Sequence, residues 1–116
     1  MSDDQPVLVL VRDLMFSSRI SAEARAQQVA VKLIRDPARL GDQGGSRLIV
    51  DLNQEGFIEA ASAWKARGGG EVVGFVSHVD TETIAKARER GIDRIISRGQ
   101  FSAGLCDILR GAKPDQ

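Results

Sequence analysis

Three near-continuous apolar runs, at 7–11, 47–50 and 72–76, recur through the chain with polar, helix-compatible stretches between them. A strand that is apolar at successive positions, rather than at every second one, must be covered on both faces. That is the condition of a strand inside a parallel sheet. Two further segments, 29–34 and 94–97, complete a set of five strand candidates. The connections read as helices. Segment 18–28 carries Ile20 and Ala24 at helical spacing, and 56–67 places Phe57, Ala60, Ala61 and Trp64 on one face before Gly68-Gly69-Gly70. Segment 81–90 carries Ile84, Ala85 and Ala87 and stops at Gly91, and 102–110 carries Leu105, Ile108 and Leu109. Only 37–46 separates the second and third strands, and its three glycines leave room for one or two turns around Leu40. The expected architecture is α/β: a (βα)5 open parallel five-stranded sheet with a shortened or missing second helix and strand order 2-1-3-4-5.

The 116 residues suit one domain, expected at 6–112, with residues 1–5 and 113–116 as flexible termini. Sixteen basic and sixteen acidic side chains cancel, which argues against a general nucleic-acid binder, because phosphate binding needs a surplus of clustered cations. One cysteine, Cys106, excludes an internal disulfide, and one histidine beside it makes a zinc site from this chain alone a poor fit. The apolar run 7–11 is too short to span a membrane, and no basic segment precedes it as in a signal peptide. The expectation is a cytoplasmic protein without nucleic-acid or membrane partners.

In the expected strand order the topological switch lies between strands one and three, so their carboxyl ends are the first place to seek a site. They end in Arg12-Asp13 and Asp51; strand four ends in Ser77-His78 and strand five in Ser97-Arg98. A carboxylate pair can hold a hard divalent cation, and a hydroxyl and a cation beside it can stabilise a phosphoryl oxygen. Taken singly, each of these residues reads better as a loop solubiliser; their ordered occurrence at four strand ends shifts the balance towards a site.

With these residues in place, the chain resembles the receiver domain of bacterial two-component response regulators, a flavodoxin-like fold. The resemblance runs over residues 7–110. It rests on Val9-Leu10-Val11-Arg12-Asp13 with Ser17-Ser18-Arg19-Ile20, on Leu48-Ile49-Val50-Asp51-Leu52-Asn53, on Val76-Ser77-His78, and on Ala87-Arg88-Glu89-Arg90-Gly91 with Ile95-Ile96-Ser97-Arg98. It implies that Asp51 is the phospho-acceptor and that Asp13, Asp51 and the carbonyl of Asn53 are the ligands of a magnesium ion. It further implies that Ser77 hydrogen-bonds the phosphoryl group, with Arg98 in the place of the family's lysine.

Four departures weaken the phosphorylation chemistry. Arg12 stands where the family has a first acidic residue, replacing a metal-attracting charge by a repelling one. A unit-charge pair at ~4 Å in an effective dielectric near 20 is worth ~4 kcal/mol. Arg98 keeps the charge of a lysine but not its shape. Gly99 replaces the customary cis proline, so the loop there need not hold that isomer, and Ile95 replaces the aromatic switch in a chain without tyrosine. We therefore expect a pseudo-receiver in which Arg12 bridges to Asp51 or Asp13 where magnesium would stand.

Other residues carry plainer readings. His78 reads as an exposed loop histidine or a gate to the acceptor, Cys106 as a small apolar side chain, and Trp64 as packing against the sheet. The cluster Lys86, Arg88 and Arg90, interleaved with Glu82 and Glu89, suits either a solvated or a docking face. The function expected is a stand-alone receiver-like signalling module of two-component type, not an enzyme, because no nucleophile elbow, Cys-x5-Arg loop or nucleotide turn occurs. Its partners would be a histidine kinase or another signalling protein, docking on the family's helix 4, strand 5 and helix 5 (here 81–90, 94–97 and 102–110), with a homodimer as a further possibility. Two alternatives stand beside it: a small anionic-ligand-binding module using Arg12 and Arg98, and a still phosphorylatable single-domain regulator.

Overall fold

Strict alternation of side chains along the central strands divides the core in two. The structure, a computed structural model, describes residues 5–77 and 80–111. Leu8 and Leu10 of β1 (Val7–Leu10) point to one face with Leu48 and Val50 of β3 (Arg47–Asp51) and Val72 of β4 (Glu71–Val76). Val7, Val9, Ile49, Val73 and Phe75 point to the other. α2 (Phe57–Ala66) and α3 (Thr81–Glu89) cover the first face, and α1 (Leu14–Ala26), α4 (Arg98–Ala103) and α5 (Leu105–Arg110) cover the second. With β2 (Val31–Ile34) and β5 (Arg94–Ser97), the sheet is wholly parallel in the order β2-β1-β3-β4-β5, as the apolar runs predict.

The second crossover is a single 3-10 segment, Pro37–Asp42, capped by Asp36, whose side chain accepts from the Ala38 amide at 3.0 Å. It buries Leu40 and leans on α2: Trp64 Nε1 donates to the Gln43 carbonyl at 3.0 Å, and Arg67 Nη2 to the Gly41 carbonyl at 3.1 Å. The expected shortening is therefore real, and Trp64 packs against this crossover as well as the sheet side.

Several boundaries differ from the sequence reading, each for a local reason. α1 starts at Leu14 rather than Ser18, because Asp13 caps it: Asp13 Oδ1 accepts from the amides of Met15 at 2.9 Å and Phe16 at 3.1 Å. The expected last helix at 102–110 is two short helices that begin at Arg98 and break at Gly104. The Ser97 hydroxyl accepts from the Gln100 amide at 3.0 Å while Gln100 Oε1 accepts from the Ser97 amide at 3.1 Å. This reciprocal capping box starts a helix at once where a loop was expected. Gly99 accordingly lies inside α4. β2 begins at Val31 and β1 ends at Leu10, each shorter than its apolar run. The expected flexible ends, apart from Gln5, lie outside the described residues.

Candidate functional site

The carboxyl ends of β1, β3, β4 and β5 bring the predicted site residues to one edge of the sheet. Asp51 is the last residue of β3 and only 5% exposed, which makes it one of two buried polar side chains among the described residues. Its Oδ1 accepts from the Asn53 amide at 3.0 Å. Burial raises the carboxyl above its ordinary pKa, and the Asn53 amide, the nearby Gln54 side chain and the charge of Arg98 offset that only in part.

Asp13 sits opposite, half-exposed, with both oxygens committed. Oδ1 caps α1, and Oδ2 accepts from Arg98 Nη2 at 3.2 Å. Its pKa is lowered, first by the Phe16 amide and then, against an opposing desolvation, by Arg98 and the Met15 amide. Arg98 is held from a second direction: its guanidinium carbon lies 4.1 Å from the centroid of the Phe16 ring. Phe16 is itself wedged edge-on against Phe75 at 5.2 Å and tilted against Phe101 at 5.6 Å, in a fully packed aromatic cluster. A cation in the first turn of a helix opposes the helix dipole, and the Asp13 carboxylate offsets it.

The bridge expected from Arg12 to Asp51 or Asp13 is not made. Arg12 is exposed and in no ion pair among the described residues; Arg98 is the cation that pairs with Asp13. Arg12 leaves β1 as the chain turns outward, whereas Arg98 is steered inward by Phe16, a contact with no signature in sequence. Ser77 is exposed at the end of β4, and its amide donates to Asn53 Oδ1 at 2.5 Å, so the Asn53 side chain ties the ends of β3 and β4 together. His78 lies outside the described residues. Ile95 is partly buried against the α2–α3 side of the core, and Cys106 is half-buried, less enclosed than expected.

These residues do not fit a magnesium ion. Asp13 already accepts from two amides at Oδ1 and from Arg98 at Oδ2, Asp51 accepts from the Asn53 amide, and the residue beside Asp13 is the cation Arg12 rather than a further acid. Among the described residues no three acidic, histidine or cysteine side chains group in a manner suited to a metal. Likewise, among those residues no helix is long and apolar enough to cross a membrane. Sequence reasoning missed three contributors: Phe16, Gln54 and the capping role of Asp13. The last had a signal, an aspartate directly after a strand and before a helical stretch.

No protein-family profile and no curated protein sequence matches the chain. Solved structures do. A response regulator protein from Burkholderia pseudomallei, with a phosphorylated aspartic acid, calcium ion and citrate, superposes with TM-score 0.76 at 13% identity, over 91% of this chain and 66% of that one. The chain thus spans just under two thirds of that protein. A CheY-like receiver domain protein from Methanospirillum hungatei superposes with TM-score 0.74 at 13% identity, over 92% and 94% of the two chains. The beryllofluoride-activated NtrC4 receiver domain dimer gives TM-score 0.69 at 14% identity, over 91% and 97%. At such identities the likeness speaks for the backbone: this chain has the flavodoxin-like fold of response-regulator receiver domains.

Proposed function

We propose that the protein is a receiver-like signalling module of two-component type with a degenerate phosphorylation pocket, acting through protein contacts rather than through magnesium-assisted phosphoryl transfer. The observation that carries this reading is the Arg98–Asp13 ion pair at 3.2 Å, which occupies the remaining oxygen of an aspartate already spent as a helix cap. Asp13 is thereby neutralised from within the pocket, and Asp51 is left buried, with burial holding its carboxyl above its ordinary pKa. No residue is assigned a catalytic role. The docking face is α3, β5 and the α4–α5 pair, where an apolar groove of about 340 Å³ runs past Ile96, Ala103 and Ile108. The partner is a histidine kinase, another signalling protein or a second copy; the NtrC4 receiver is described as a dimer in its activated form.

A second reading keeps phosphorylation: Arg12 is clear of Asp51, so the acceptor is not locked by that residue. Incubation with acetyl phosphate, with and without magnesium, followed by intact-mass analysis, decides between them. The degenerate pocket predicts no adduct in either condition. A magnesium-dependent adduct that disappears in Asp51→Asn establishes the second reading instead.

A further inference from the structure

An open sheet ends in a strand with no further neighbour, and the exposed residues along one such edge share a chemistry. β2 is an edge strand. The amide of Val7 donates to the Ala30 carbonyl at 2.9 Å, and that of Val11 to the Ile34 carbonyl at 3.2 Å. By the two-residue period of a strand, the backbone groups of Val31 and Leu33 then face away from β1 towards the open edge. The Leu33 side chain is 43% exposed, one of three large apolar side chains so placed among the described residues. Beside it a groove of about 370 Å³ is lined by Lys32, Leu33, Arg35, Asp36 and Arg39. The three cations are exposed, and none is in an ion pair among the described residues. Asp36, the one acid in the groove, has an oxygen engaged by the Ala38 amide.

We infer that the β2 edge is a docking site for an extended acidic segment of a partner protein, which adds to the sheet as a sixth strand. Main-chain hydrogen bonds to Val31 and Leu33 supply the register, and Lys32, Arg35 and Arg39 select for carboxylates. Lys32 and Leu33 point to opposite faces of the sheet, so the fitting segment alternates acidic and apolar residues. Edge cations also discourage pairing between copies, because a β2–β2 contact would set Lys32, Arg35 and Arg39 against their own counterparts. The chain's overall neutrality and the narrow footprint of the cations speak against nucleic acid. This site lies apart from the Asp51 pocket, and its fate does not depend on phosphorylation.

The test uses the full chain and a fluorescein-labelled peptide of alternating Glu and Val, about eight residues long, a usual strand length. A second peptide of the same sequence carries N-methyl groups on alternate amides. Fluorescence anisotropy should show binding that weakens with salt, and a loss of at least about tenfold both for the N-methylated peptide and for the Lys32→Glu/Arg35→Glu variant. Backbone amide shifts in a 15N spectrum should centre on Val31, Leu33 and Arg35. Circular dichroism verifies that the exposed substitutions leave the fold intact. Absence of binding overturns the inference, as does equal binding of the N-methylated peptide, which would reduce the site to charge alone. Tighter binding of a duplex DNA oligonucleotide, or self-association of the unliganded chain that Lys32→Glu/Arg35→Glu abolishes, would also overturn it by assigning the edge to another occupant.

Discussion

Arg98 and Asp13, 85 residues apart in sequence, meet at 3.2 Å across the carboxyl edge of the sheet, with the Arg98 guanidinium stacked over Phe16. The pair links the first turn of α1 to the first turn of α4. Asp13 serves two structural tasks with two oxygens, and the separation of those tasks is open to experiment.

Asp13→Ala should lower the urea midpoint more than Asp13→Asn. Asparagine can accept the Met15 and Phe16 amides and so preserves the cap, while both variants lose the charged contact with Arg98. Equal losses in the two variants would mean that the ion pair, rather than the cap, is what α1 depends on.

The buried acid predicts a stability profile of its own. Because burial raises the Asp51 pKa in the folded state, the folded protein binds this proton more tightly than the unfolded chain. Its contribution is therefore fully present below the unfolded value, 3.8, and is lost as pH rises through the raised folded value. Asp51→Asn, which retains an acceptor for the Asn53 amide, should stabilise the protein near neutrality, and its advantage should shrink on acidification. Asp13 and Glu59 have lowered values and act in the opposite sense, losing their contribution as pH falls. Thermal melts of wild type and Asp51→Asn between about pH 4 and about pH 8 read this out directly.

Phe101 is fully buried, stacked on Phe75 at 4.8 Å and tilted against Phe16, the ring beneath Arg98. Phe101→Ala should cost about 3–5 kcal/mol in denaturant unfolding, the range for a large aromatic deleted from a core. A loss below about 1 kcal/mol would show that the cluster collapses readily around the gap.

Gly74 marks where β4 approaches the turn after Asp51. A Cβ there would lie 2.6 Å from a Leu52 methyl carbon, and Leu52 is itself buried. Gly74→Ala should destabilise the fold by about 1–3 kcal/mol, as overpacking does, and shift the amide resonances of Asp51 and Asn53. Unchanged resonances with unchanged stability would mean that Leu52 rotates away at no cost.

Where sequence and structure part company, the physical cause is the range of the interaction. The three central strands were legible because burial on both faces leaves a continuous apolar run, and the short crossover because ten residues with three glycines cannot hold a covering helix as well as the turns on either side of it. The start of α1 and the division of the last helix were missed because they rest on single caps, Asp13 and the Ser97–Gln100 box, which apolar periodicity does not register. Arg12 and Arg98 illustrate the deeper limit. Both are arginines at strand ends, and nothing in their local sequence says which turns inward. An α/β sheet with Asp13, Asp51, Ser77 and Arg98 at one edge follows from the order of residues alone, since strand ends inherit their position from topology. That Arg98 lies over Phe16 and against Asp13, while Arg12 and the β2 edge stay exposed, follows from packing in three dimensions. Side-chain direction depends on packing among segments distant in the chain, and that information exists only once they have met.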